Sequence, residues 1–146
     1  MQNFYIIFYT RRINAIIVLR EGSGDLVLGI GIDIIEIYRI EAAMKKPKFV
    51  ERIYTPGEQK YLHTRNNNPS TAAGYFAAKE AAAKALGTGF GGVRWTEIEV
   101  IREENGRPGI KLYGNAKIAM EKMGGNRILL SISHSRDNAI AQVIIC

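Results

Sequence analysis

Cysteine is almost missing from this 146-residue chain: the only one, Cys146, is the last residue. A single terminal thiol builds neither a disulfide framework nor a thiolate metal cluster, which points to a reducing, cytoplasmic setting. Long apolar runs are missing as well. None approaches the roughly 20 residues that a helix needs to cross a bilayer, so no membrane-spanning helix is expected. The short run Phe4 to Tyr9 is followed, not preceded, by Arg11 and Arg12, the reverse of a secretory signal. Its polar face is too poor to argue for attachment to a membrane surface. No Gly-Lys-Ser/Thr follows the glycine-rich stretch at residues 87–92, which excludes a P-loop. Aromatics are not interleaved with Lys and Arg in a repeating pattern, as a single-strand nucleic-acid face would show, so no nucleic-acid partner is expected.

What is present is one domain's worth of chain with an excess of positive charge. Hydrophobic residues make up 47% and charged residues 23%, the balance of an ordinary globular domain. Lys and Arg number 20 against 14 Asp and Glu, a net charge of +6 that favours an anionic partner. Residues 1–26 read as an N-terminal extension of unknown role, joined through the flexible Glu21-Gly22-Ser23-Gly24-Asp25 stretch, and residues 27–146 as the domain proper. Within it, Leu28 to Ile35 reads as a buried strand, with two glycines that admit a close approach. A helix is expected over Tyr38 to Met44, broken by Lys45-Lys46-Pro47-Lys48, with a further helical turn from Phe49 to Tyr54. Thr55-Pro56-Gly57-Glu58 is a capping box opening a short helix to about His63, and Asn66 to Pro69 reads as a loop. Thr71 to Leu86 holds eight alanines and no proline, and Gly87 suits a left-handed cap at its end. Asn105-Gly106 marks a hairpin between the strands of Ile98/Val100 and Ile110/Leu112. Asn115 is placed to cap a helix with Ala116, Ala119, Met120 and Met123 on its apolar stripe. Strands at Ile128 to Ser133 and Ala139 to Ile145 enclose a polar turn from His134 to Asn138. The fold class is α+β with a mainly antiparallel sheet.

Two acids stand out. Asp33 sits inside an Ile-rich strand, where a buried carboxylate needs a cation, a donor or water beside it; capping the next helix is the plainer alternative. Glu80 shares one helical face with Phe76 and Lys84 at i, i+4 and i+8, and a solvated Glu80–Lys84 ion pair is the plainer alternative there. Taken together, two hard carboxylates from a strand and a helix can hold Mg²⁺, whose remaining positions go to phosphate oxygens and water. Lys84 points a cation at the same phosphates, and backbone N–H groups of the Gly87–Gly92 stretch can face them too.

Gly29-Ile30-Gly31-Ile32-Asp33 with Arg39, Phe76-Ala77-Ala78-Lys79-Glu80-Ala81, Lys84-Ala85-Leu86-Gly87-Thr88-Gly89 and Ser131-Ile132-Ser133-His134-Ser135 come in an order that resembles the holo-acyl-carrier-protein synthase family of 4′-phosphopantetheinyl transferases. The resemblance runs from about Val27 to Cys146. It implies the fold of that superfamily and an Mg²⁺-dependent transfer of the 4′-phosphopantetheine arm from coenzyme A to a serine of an acidic acyl carrier protein. Adenosine 3′,5′-bisphosphate would leave, and the reaction would serve fatty acid biosynthesis. By the same likeness Asp33 and Glu80 match the metal ligands, and Asp33, Glu80 and Lys84 the catalytic set. Lys84, Gly87, His134 and Ser135 match coenzyme A contacts, and Arg39, Lys48 and Arg52, extended by Lys45 and Lys46, match a carrier-binding patch. For His134, a turn histidine bonded to backbone is the competing reading. The larger members hold two related halves and this chain is about one, so its site should be completed by a neighbouring subunit; the resemblance implies a homotrimer with three interfacial sites.

One position departs from the pattern. Tyr75 stands where the family often has an arginine able to contact phosphate, which leaves Lys79 or another basic residue as a substitute. Two other classes fit parts of the sequence: a basic module that binds an acidic protein or nucleic acid, and another Mg²⁺-dependent phosphotransfer enzyme. The first gives no reason for an acid within the Ile-rich strand, and the second lacks a P-loop or kinase-type glycine motif.

Overall fold

The molecule is described from a computed structural model that covers residues 26–146, together with the backbone of two strands, Tyr5–Tyr9 (β1) and Ile16–Arg20 (β2). These two pair antiparallel, Tyr5 opposite Arg20 and Tyr9 opposite Ile16. The expected Glu21–Asp25 linker lies outside the described residues.

The centre of the fold is a strand pressed onto a helix. Gly29–Glu36 (β3) turns Gly29 and Gly31 towards Pro69–Ala85 (α4), and a Cβ on either glycine would collide with the backbone carbonyls of Ala85 and Ala81. The alanines of α4 complete the close approach: Ala77, Ala78, Ala81, Ala82 and Ala83 are all buried. The helix starts at a residue expected to be loop. Pro69 takes its first position and the Asn68 side chain accepts from the Thr71 N–H at 3.1 Å, so the proline opens the helix.

β3 pairs antiparallel with Asn138–Ile145 (β7), which pairs antiparallel with Ile128–His134 (β6), giving a sheet of order β3-β7-β6. His134 therefore ends β6, and the connecting turn is shorter than the sequence suggested. A separate antiparallel hairpin joins Ile98–Arg102 (β4) to Pro108–Leu112 (β5). Its reversal is a turn closed by Gly106 N–H to the Glu103 carbonyl at 2.8 Å, with Gly106 at φ +83° and Asn105 outside the left-handed region.

Three short helices lie between β3 and α4: Ile37–Met44 (α1), Pro47–Ile53 (α2) and Pro56–Thr64 (α3). Pro47, read from sequence as part of a break, opens α2. The capping box of α3 is present as expected, with Thr55 and Glu58 bonding each other's backbone N–H groups. The last helix, Gly114–Lys122 (α5), corrects a sequence expectation: Tyr113 occupies its cap position, and Asn115 Nδ2 instead donates to the Gly92 carbonyl at 3.2 Å. The result is the expected mix of helices and antiparallel sheet, and among the described residues no helix is long and apolar enough to cross a membrane.

Candidate functional site

The alternation of β3 decides where Asp33 goes. With Gly29, Gly31 and Ile35 it faces α4, while Ile30, Ile32 and Ile34 face away. One face of α4 meets it there. Lys84 Nζ lies 2.7 Å from Asp33 Oδ1 and donates to the Ile32 carbonyl at 3.0 Å. Asp33 is not a helix cap: the cap position of α1 is Glu36, without a side-chain cap bond. Nor does Lys84 serve as the solvated partner of Glu80, since its recorded ion pair is with Asp33.

Glu80, one turn before Lys84, is half-buried. Burial pushes its carboxyl above the ordinary glutamate range, the Asp33 charge pushes the same way, and Lys84 opposes both. Two carboxylates thus sit within electrostatic reach of each other, with the Lys84 ammonium paired to Asp33 and its charge felt by Glu80. A further cation would relieve that excess of negative charge. No cluster of three or more His, Cys, Asp or Glu exists among the described residues, and two carboxylates suit a hard divalent ion that takes its other ligands from phosphate and water.

Gly87 follows α4 directly, at φ +70°, and its N–H is bonded back to the Lys84 carbonyl at 3.0 Å. It belongs to the same end of the helix as the acids. His134 and Ser135 do not. They lie on β6 and just beyond it, two strand spacings from β3, or roughly 10 Å across the sheet. His134 is exposed, while Ser135 Oγ accepts from the Asp137 and Asn138 N–H groups at 3.3 and 3.2 Å, shaping the turn. Arg39, Lys48 and Arg52 are exposed on α1 and α2, Arg39 in an exposed pair with Glu36 at 3.1 Å.

Lys79 is not a substitute phosphate contact. It is fully buried, 2.7 Å from the equally buried Glu58, and donates to the Trp95 and Ile98 carbonyls at 3.0 and 2.7 Å. Glu58 in turn accepts from the Thr55 and Val100 N–H groups, both at 2.7 Å. This knot ties α3, α4 and β4 together. Tyr75 also points into the core: it is 2% exposed, stacks on Tyr61 at 5.6 Å, and its hydroxyl has no hydrogen-bond partner among the described residues. Sequence reasoning also missed a cleft of about 520 Å³ between α1, α2 and α3, floored by Met44, Val50 and Leu62 with Glu41, Lys45 and His63 at its rim. A composition of mixed polar and apolar helix faces gave no signal for it.

A family model described as the 4′-phosphopantetheinyl transferase superfamily matches residues 29–142, and the chain belongs to that superfamily. Among its relatives there, a holo-[acyl-carrier-protein] synthase of Alkaliphilus oremlandii is 48% identical over 120 residues, covering 82% of this chain and 98% of the relative. One from Clostridium tetani is 50% identical over 121 residues, covering 82% and 96%. A crystal structure of the Helicobacter pylori holo-[acyl-carrier-protein] synthase in complex with coenzyme A superposes with a TM-score of 0.71 at 37% identity, covering 80% of this chain and 99% of that one. The chain is thus a phosphopantetheinyl transferase of the holo-[acyl-carrier-protein] synthase kind.

Proposed function

We propose that this protein transfers the 4′-phosphopantetheine arm of coenzyme A to a serine of an acyl carrier protein, releasing adenosine 3′,5′-bisphosphate, as a step that supplies fatty acid biosynthesis in the cytoplasm. The observation that carries the reading is the Asp33–Lys84–Glu80 group, two acids and one lysine from β3 and α4 on one face. Asp33 and Glu80 would hold Mg²⁺, which when bound supplies charge neutralisation at the pyrophosphate. Lys84, already drawn to that spot, stabilises charge on the departing phosphate. Glu80 accepts the proton of the attacking serine hydroxyl, directly or through water. Its raised affinity for protons before the cation arrives suits a group that must pick one up.

His134 and Ser135 are proposed to meet the nucleotide end of coenzyme A from a neighbouring subunit, because one chain leaves them away from the acid pair. The sheet offers the surface for that assembly. On the face opposite α4, cross-strand rows run Ile30–Ile144–Leu129, Ile32–Gln142–Ser131 and Ile34–Ile140–Ser133 across β3, β7 and β6. Ile30, Ile32 and Ile34 are 60%, 54% and 62% exposed, an apolar face whose exposure to water is costly and whose covering is favourable. A homotrimer that covers it and completes three sites accounts for both features. Arg39, Lys48 and Arg52 then form the patch for the acidic carrier.

The test is incubation with apo-carrier protein, coenzyme A and Mg²⁺, read by mass spectrometry of the carrier. A mass gain equal to the phosphopantetheine arm, lost on chelation of the metal, is expected. An unmodified carrier that a known transferase does modify would overturn the proposal.

A further inference from the structure

The glycine-rich segment after α4 has an anchor that the reaction itself does not use. Gly87, Gly89, Gly91 and Gly92 each have open space where a side chain would stand, and two of them carry positive φ, +70° at Gly87 and +54° at Gly89. Four glycines in six residues should leave such a segment disordered, because glycine loses the most backbone freedom on being fixed. It is nevertheless held at three places. At its start, the Gly89 N–H reaches the Ala83 carbonyl at 3.2 Å. At its end, Asn115 donates to the Gly92 carbonyl at 3.2 Å. In the middle, Phe90, its one large side chain, lies flat on Trp95 with ring centres 3.6 Å apart and planes 11° from parallel.

Trp95 is itself fixed from behind. Its carbonyl accepts from buried Lys79, and the turn that carries it is closed by Glu97 accepting from the Arg94 N–H at 3.0 Å. Its ring also stacks on Phe76 at 4.8 Å, and Phe76 stands one turn before Glu80 on the same face of α4. An aromatic row therefore runs from the glycine segment to the acid-bearing face.

We propose that Phe90 is a positioning residue: stacked on Trp95, it holds the Gly87–Gly92 segment in the open form whose backbone N–H groups, other than those of Gly87 and Gly89 that bond back to α4, receive the phosphates of coenzyme A. This rests on the reading that coenzyme A is the donor. The consequence is a split between binding and turnover. Without the stack, the segment is ordered only part of the time, and apparent affinity falls by that fraction. Once the donor is seated the segment is the same in both proteins, so turnover at saturation is preserved. An aromatic pair beyond its area burial is worth up to about a tenfold factor in such a population.

Trp95 is the only tryptophan of the chain, so its emission reports the stack without labelling. The experiment titrates the full chain and its Phe90→Ala, Phe90→Leu and Phe90→Tyr variants with coenzyme A, following Trp95 fluorescence and steady-state kinetics. Phe90→Leu keeps apolar cover over Trp95 and so controls for loss of folding, which circular dichroism checks in each variant. The expected result is a saturable emission change in the parent chain and a KM for coenzyme A raised about five- to tenfold in Phe90→Ala. Phe90→Leu should fall between, Phe90→Tyr should restore the parent value, and kcat should stay within about twofold throughout. An unchanged KM in folded Phe90→Ala and Phe90→Leu, while the parent chain binds and uses coenzyme A, overturns the role of Phe90 and leaves the proposed function standing. A fall in kcat with KM unchanged overturns it as well. A parent chain that shows neither an emission change with coenzyme A nor turnover of it overturns both.

Discussion

Two lysines on α4, five residues apart, have opposite fates, and a rotation of about 100° per residue accounts for it. Lys84 turns to β3 and Asp33; Lys79 turns inward to Glu58. Replacing Glu80 by Gln keeps its shape but removes its basicity, and turnover should fall roughly 10²- to 10⁴-fold while coenzyme A still binds. A near-normal rate in a direct transfer assay would remove Glu80 from the role of base. Lys79→Met belongs to stability instead. It strands the Glu58 charge in a fully buried site, so urea denaturation should show a loss of roughly 3–5 kcal/mol. Adding Glu58→Gln should recover part of it, because no charge is then left unpaired; a Lys79→Met variant as stable as the parent would contradict the knot. Asp33 was legible because an acid in an Ile-rich strand is odd locally, whereas Lys84 stood out only together with Asp33, Glu80 and the neighbouring motifs, since acid–lysine pairs one helical turn apart are common. Lys79 was not legible. Its partner lies 21 positions upstream on another helix, and nothing near Lys79 in the chain signals it.

At the scale of elements, capping chemistry was read best where side chain and backbone answer each other, as in the Thr55–Glu58 box. Prolines were harder, because Pro47 and Pro69 break a helical pattern in sequence yet sit where a helix can begin. The Arg94–Glu97 turn that supports Trp95 had no such signature, and its control is electrostatic. The Arg94 N–H holds the Glu97 carboxyl below the ordinary glutamate value of 4.5; burial opposes this, and the Arg94 side chain adds to it. A depressed acid stabilises the fold above its unfolded value and gives that stability up as pH falls through its folded value. Stability and Trp95 emission should therefore hold down to about pH 4.5 and decline together below it. In Glu97→Gln the parent's extra stability above that pH should be absent. An acid-induced emission change of the same midpoint in both proteins would separate the turn from Glu97.

For the molecule as a whole, the exposed face of the β3-β7-β6 sheet sets the terms. β3 was read from its isoleucines as a buried strand, and the structure corrects half of that reading, because its Ile30, Ile32 and Ile34 are exposed. One side meets α4, and on the other these three isoleucines are left exposed among the described residues. Ile32→Glu places a charge at the centre of that outer face without touching α4. Light scattering should then report a mass near the single chain's 16.3 kDa, where the proposed trimer of the parent would give about three times as much, and transfer activity should fall with it. A fully active variant of single-chain mass would show that each chain works alone.

The same inequality between Lys79 and Lys84 also governs chemical labelling. An amine-reactive acylating reagent needs a lysine that can reach solvent and shed its proton; Lys84 is half exposed, whereas Lys79 is sealed in and spends its hydrogens on a carboxylate and two carbonyls. Peptide mapping after brief labelling of the native protein thus finds α4 modified at one lysine only, and a donor seated on the Lys84 side protects that one.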